Sequence, residues 1–91
     1  MRSVRFNDGT EFPVKSCGIF GANLWLNIIT DITFVDAVLF LEKPENTSSI
    51  LYFVSGKEND GQTFSGFTQL ICVQKSEDGY LIGFEKKEDE K

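Results

Sequence analysis

The stretch that decides the fold lies near the start of the chain and runs Val4-Arg5-Phe6-Asn7-Asp8-Gly9-Thr10-Glu11-Phe12-Pro13-Val14. An Asp-Gly pair between two runs of alternating apolar residues is the strongest short-range signal for a β-hairpin. A three-residue loop over 7–9 pairs Arg5 with Glu11 and Val4 with Phe12, which separates an opposite-charge pair from an apolar face. A two-residue loop would mix charged and apolar residues on one face. The pattern therefore predicts the three-residue loop, with its glycine in the left-handed region.

The Asp-Gly pair recurs at Asp60-Gly61 and Asp78-Gly79, so the hairpin signal continues along the chain. Strand patterns cover residues 15–20, 24–29, 50–54 and 63–73, the last of them interrupted at Gly66. Residues 24–29 are largely apolar on both faces, which predicts a central strand. The final hairpin joins 70–73 to 80–84. We expect one of its faces to carry Ile71, Val73, Tyr80, Ile82 and Phe84.

One helix is predicted over residues 34–42, because a capping residue precedes a helical repeat of apolar residues. Thr33 is a suitable N-cap. Pro44 ends the helix, since the residue before a proline is driven out of the α region. A polar loop is expected over 45–49. The buried stripe of the helix is expected to consist of Phe34, Ala37, Val38 and Leu41.

These elements predict an α+β fold: a bent antiparallel β-sheet, or a partly open small barrel, of about six strands with one short helix against it. The chain has 91 residues, which is the size of one domain, and its nine phenylalanines supply a core without a metal or disulfide framework. We assign residues 1–84 to a single globular domain. Residues 85–91 contain no apolar side chain and are expected to form a charged C-terminal tail.

The formal net charge of -5 argues against nucleic acid as a partner, because affinity for nucleic acid comes largely from clustered Lys and Arg. No apolar run approaches the roughly 20 residues of a membrane span, and no secretory leader is recognisable. We therefore expect no membrane partner and synthesis in the cytoplasm. In that compartment Cys17 and Cys72 are expected to be buried free thiols, with a disulfide as the less favoured alternative.

No residue set indicates an enzyme, a cofactor or a metal site. The chain has no histidine, so the usual general base and the usual partner of a cysteine nucleophile are missing. Two cysteines without histidine do not make a zinc site. The carboxylate pairs, Asp31 with Asp36 and Glu58 with Asp60, are better explained by a helix start and a turn.

Aromatic residues are the remaining candidates, since the chain has more of them than one face of a small sheet requires. We predict that Trp25, Tyr52 and Phe53 bind a protein partner or a second copy, with Trp25 and Tyr52 as anchors. The sequence thus favours a non-enzymatic structural or protein-interaction module. The alternative is a small ligand- or carbohydrate-binding β module, and a less favoured one is an acidic mimic of nucleic acid.

Two stretches of the chain form a further pattern: Thr33-Phe34-Val35-Asp36-Ala37-Val38-Leu39-Phe40-Leu41-Glu42-Lys43-Pro44-Glu45-Asn46-Thr47-Ser48-Ser49-Ile50-Leu51-Tyr52 and Gly66-Phe67-Thr68-Gln69-Leu70-Ile71-Cys72-Val73. They resemble small uncharacterised proteins of phages and prophages in Gram-positive bacteria. The shared pattern is a short helix with a Pro-Glu-Asn-Thr-like stop, followed by strands and a closing hairpin. The resemblance implies a tail- or baseplate-associated protein that acts by assembly in the virion. It brings no catalytic residues.

Overall fold

A computed structural model describes residues 2–54 and 61–87. The expected turn at Asp60, the pair Glu58 and Asp60, and most of the charged tail lie outside the described residues. The elements in chain order are β1 (Arg2–Arg5), β2 (Glu11–Phe20), β3 (Asn23–Ile29), α1 (Phe34–Leu41), α2 (Pro44–Thr47), β4 (Ser49–Val54), β5 (Gln62–Ser65), β6 (Gln69–Lys75) and β7 (Gly79–Glu85). Neither helix in the described part of the chain has the length and hydrophobicity that crossing a bilayer requires.

The strands form one antiparallel sheet in the order β5-β4-β1-β2-β3-β7-β6, so the fold is α+β as predicted, with seven described strands in place of about six. The sheet is open, with β5 and β6 at its two edges. It bends within β2, whose first residues pair with β1 and whose later residues pair with β3. A bulge between Val14 and Ser16 marks the change of partner, as bulges commonly do where a sheet turns.

The first hairpin has the predicted register. Arg5 pairs with Glu11 and Val4 pairs with Phe12. The Arg5 Nη2 atom lies 3.2 Å from Glu11 Oε1, so the opposite charges meet on one face. Gly9 has a φ of +97°, which closes the three-residue loop. The loop length could be derived from the sequence because only one register keeps the two faces distinct.

The inner face of the bent sheet holds the core. Side chains from β1, β4 and β5 pack in the same cluster as side chains from β3 and β7, so the sheet wraps around one core. The β3 strand is central, as predicted, and lies between β2 and β7. The fully buried members with the largest side chains are Phe6, Leu24, Leu26, Ile28, Leu41, Ile50, Ile82 and Phe84.

Helix α1 begins where the sequence predicts. The Thr33 hydroxyl accepts a hydrogen bond from the Asp36 amide at 3.1 Å. Ala37 and Leu41 are buried and Val38 is half-buried, but Phe34 is 51% exposed, so its assignment to the buried stripe was wrong. Phe34 begins the helix, and its ring lies beside the Tyr80 ring at a centroid distance of 6.3 Å.

Phe40 and Tyr80 attach the helical segment to the sheet. The Phe40 ring packs edge-on against Phe6 at 5.2 Å and against Phe12 at 6.4 Å. At the other end of α1, the Tyr80 hydroxyl donates a hydrogen bond to the Ile32 carbonyl at 2.7 Å. Aromatic pairs of this geometry stabilise the fold beyond the burial of their surface. The ring contacts hold one end of the segment and the Tyr80 hydrogen bond holds the other.

The polar segment after Pro44 contains a second helix, α2, where the sequence led us to expect a loop. Lys43 is extended, as expected before a proline, and α1 has already ended at Leu41. Pro44 then occupies the first turn of α2, where its fixed φ suits a helix and its missing N–H costs nothing. The same proline therefore separates two helices.

The predicted faces of the last hairpin are correct except at Ile71. A bulge between Leu70 and Cys72 shifts the register of β6 against β7. It places Leu70 and Val73 against the core and leaves Ile71 45% exposed. The extra residue of a bulge falls out of the alternation, and the periodicity of the sequence does not mark where this happens.

Candidate functional site

Trp25 lies on the outer face of the sheet, between two glycines. In the cross-strand register it faces Gly18 on β2 and Gly83 on β7. A Cβ atom added to Gly83 would lie 2.6 Å from the Trp25 Cζ3 atom, so the indole rests directly on the Gly83 backbone. The indole is half-buried, with its position fixed by the strand beneath it.

Three further apolar residues extend this surface, which we call the outer platform. Phe20 lies two residues beyond Gly18 on β2 and is 69% exposed. Leu81 precedes Gly83 by two residues on β7, and Cys72 pairs with Gly83 from β6. The outer platform therefore consists of Phe20, Trp25, Cys72 and Leu81, spread over four adjacent strands.

No member of the outer platform carries a charge. The neighbouring side chains on the outer face of the same strands are also uncharged; they are Ser16, Asn27 and Gln74. Charged groups begin at the margins. One margin carries Glu85, and the other carries Lys15, whose Nζ lies 2.9 Å from Asp78 Oδ1. The hydrogen bond to Asp78 raises the pKa of Lys15 above its usual value.

The structure does not bring Tyr52 and Phe53 to the same surface as Trp25. Tyr52 pairs with Val4 and packs against the core on the inner face. Phe53 is on the outer face of β4 but only 3% exposed, with the Arg5 guanidinium 5.4 Å from its ring centroid. Of the three predicted partner-binding residues, only Trp25 is part of the outer platform.

The two cysteines are free, as predicted, but both are half-buried rather than buried, and they lie on opposite faces of the sheet. Cys17 pairs with Leu26 and packs against the core, and burial raises its pKa to about 11. Cys72 belongs to the outer platform. Because their side chains lie on opposite faces of the sheet, the two sulfur atoms cannot come together to form a disulfide.

We expect Cys17 to react much more slowly than Cys72 with a thiol reagent in the native protein. At pH 8 a pKa of about 11 leaves about one Cys17 side chain in a thousand as the reactive thiolate. Mass spectrometry of time-resolved labelling should show at least a tenfold difference in rate, which disappears in denaturant. Equal rates in the native protein would contradict the placement of Cys17 on the core face.

A concave cleft opens at the end of the inner face, beside the β2–β3 turn. Its volume is about 780 Å³, and its lining includes the apolar side chains of Ile19 and Phe67 and the charged groups of Glu85, Lys86 and Lys87. The Lys86 Nζ lies 5.8 Å from the centroid of the Phe67 ring. This cleft could not be predicted from the sequence, because its walls come from the β2–β3 turn, the β5–β6 loop and the end of β7.

Of the two carboxylate pairs considered from the sequence, Asp31 with Asp36 lies within the described residues. Asp31 and Asp36 flank the start of α1, where the Asp36 amide completes the cap. In the described ranges 2–54 and 61–87, no three Cys, Asp or Glu side chains are placed to hold a metal ion.

The solvent side of α1 carries apolar residues whose exposure was not predicted. Val35 is 64% exposed and Leu39 is 55% exposed, next to the exposed Phe34. The sequence does contain an indication of these exposed apolar residues, because Asp36 is the only polar residue among the eight of α1. A helix that is apolar all round has more apolar surface than one packed face can bury.

Comparison of the chain with protein-family models, with curated proteins and with solved structures gives no match. The function is therefore argued from the surfaces described above.

Proposed function

We propose that the chain is a non-enzymatic structural or protein-interaction module that associates with a second copy through the outer platform. The observation that carries the proposal is the position of Trp25, a large aromatic side chain held against Gly83 on an uncharged part of the surface. Trp is the residue type most often found to dominate the energy of protein interfaces. An indole already fixed in place loses little further freedom on binding.

The charge of the chain supports this choice of surface. With a formal net charge of -5, two copies repel each other wherever their acidic surfaces meet. In a two-fold dimer the same patch faces itself, so any net charge on the patch faces an equal one. The outer platform carries none, which lets two copies approach without placing like charges in contact. The negative charge also argues against nucleic acid as the partner.

The resemblance of residues 33–52 and 66–73 to phage and prophage proteins supports a setting in which such association is useful. We accordingly propose synthesis in the cytoplasm and incorporation into a virion, in the tail or baseplate region, as the biological form of the assembly.

We expect the protein to form a dimer or higher oligomer at micromolar concentration, and Trp25→Ala to weaken it at least tenfold, as removal of an interface hot spot does. Sedimentation velocity over a concentration series measures the change, and circular dichroism verifies the fold. Phe20→Ser provides a second test because Phe20 is 69% exposed and its loss leaves the core intact. Val35→Ala, on α1, is the matched control and should leave self-association unchanged.

A monomer at every concentration would refute the proposal. So would an oligomer that neither Trp25→Ala nor Phe20→Ser weakens.

A small-ligand- or carbohydrate-binding module is the second candidate, and the concave cleft is the observation in its favour. A volume of about 780 Å³ is within the usual range for ligand pockets. Neither Trp25 nor Tyr52 lines the cleft, and its one aromatic wall is Phe67, which is 8% exposed. Titration with sugars and small carboxylates, followed by NMR, should then shift the signals of Phe67 and Lys86. Shifts confined to other residues would exclude this use of the cleft.

A further inference from the structure

The solvent side of α1 is a second apolar surface, separate from the outer platform. It is formed by Val35 and Leu39, which are 64% and 55% exposed and which we call the α1 stripe. Val35 and Leu39 are four residues apart and therefore neighbours along one side of the helix. Ala37 and Leu41, on the opposite side, already fill the contact with the sheet. The α1 stripe thus has no part in the core.

Carboxylates surround the α1 stripe. Asp36 and Glu42 lie three residues before and three residues after Leu39, which makes both of them its neighbours on the helix surface. Asp31 precedes the helix and Glu45 follows it, and all four side chains are exposed. Lys43 is the one cationic residue between positions 31 and 47. The segment that carries the stripe therefore has a net negative charge.

The exposed apolar side chains and the nearby carboxylates together indicate which kind of partner fits the α1 stripe. A second copy that docked its own α1 stripe would bring four more carboxylates against these four, and an anionic membrane surface would be repelled in the same way. A segment with apolar residues on one side and Lys or Arg on the other satisfies both features at once. Its apolar side covers the stripe while its cations approach the surrounding carboxylates.

We propose that the α1 stripe is a docking site for a cationic amphipathic segment of a partner protein. The site is independent of the outer platform, and it stands whether or not the chain self-associates. A protein with both surfaces would join copies of itself through one of them and recruit a basic partner through the other.

The test uses the full chain and a synthetic amphipathic peptide of leucine and lysine, with a leucine and glutamate peptide of the same pattern as the charge control. ¹⁵N-labelled protein is titrated by NMR at low and at high salt. We expect shifts to cluster at residues 31–45, with affinity for the lysine peptide falling as salt rises. The glutamate peptide should not bind.

Two variants and one control locate the site. Leu39→Ser should weaken binding at least tenfold, as loss of a central apolar contact does. The double variant Asp36→Asn with Glu42→Gln should weaken binding severalfold and reduce its dependence on salt. Phe20→Ser, on the other side of the protein, is the matched control and should bind within about twofold of the original chain. Thermal melting confirms that each variant is folded.

The proposal is overturned if the shifts fall on the outer platform or scatter over the acidic surface, or if Leu39→Ser binds as well as the original chain. It is also overturned if Leu39→Ser abolishes self-association in the absence of peptide, because the occupant is then a second copy. A failure of both Trp25→Ala and Phe20→Ser to weaken the oligomers would refute the proposed function and leave these results unchanged.

Discussion

Gly79→Ala is expected to destabilise the protein by about 3 kcal/mol or more, because the new side chain has no room. A Cβ atom at this position would lie 1.8 Å from the Ile28 carbonyl oxygen and 2.8 Å from its carbon. Both atoms belong to the backbone of the central strand β3, so no side chain can move aside. The β3–β7 pairing would have to shift, and it holds Tyr80, Ile82 and Phe84 in the core.

Two other glycines provide a graded control for this prediction. At Gly83 the obstacle is the Trp25 ring, which can tilt, so Gly83→Ala should cost less than Gly79→Ala. At Gly18 the nearest atom is Phe20 Cε2 at 3.6 Å, an ordinary contact. Gly18→Ala should be neutral or stabilise by about 0.5 kcal/mol, since glycine within a strand is unfavourable. Urea unfolding of the three variants measures the order, and any other order would contradict the packing of β7 on β3.

Leu41→Ala should lower the free energy of unfolding by about 2–5 kcal/mol, the usual cost of removing a fully buried leucine side chain. Leu41 is 1% exposed, and it is the last residue of the helix that covers the inner face of the sheet. The substitution keeps helix propensity high, so the loss reports packing and the cavity rather than helix formation.

Leu39→Ala is the matched control for Leu41→Ala, since it makes the same change two residues earlier in the same helix. Leu39 is 55% exposed and contributes no core contact, so its loss should change stability by less than about 0.5 kcal/mol. Urea midpoints for the two variants compare the two sides of α1 directly. Equal midpoints would mean that the helix does not pack on the sheet through Leu41.

The two apolar surfaces differ in what surrounds them, and this difference separates their proposed partners. The outer platform has uncharged neighbours, which suits contact between identical acidic chains. The α1 stripe has carboxylates on several sides, which suits a cationic partner. Both proposals follow from electrostatics applied to exposed apolar groups, and Phe20→Ser, which tests the outer platform, is also the control for the α1 stripe.

Local sequence patterns determined the elements of this protein, because a hairpin loop and a helix cap depend on residues close together in the chain. The pairing of Arg5 with Glu11, the positive φ of Gly9 and the Thr33 cap could all be derived in this way. The apolar character of both faces of residues 24–29 also predicted that β3 is central.

Only the tertiary structure decided which aromatic and apolar side chains remain on the surface. Tyr52 and Phe53 are aromatic residues in an apolar strand, as Trp25 is, so the sequence does not distinguish them from it. In the structure Tyr52 packs against the core and Phe53 lies beneath Arg5. The bulge at Ile71, the support of Trp25 by Gly83 and the exposure of Val35 and Leu39 depend on contacts between distant strands and helices. Periodicity gives the face on which a side chain lies, whereas its burial depends on what the rest of the chain places over that face.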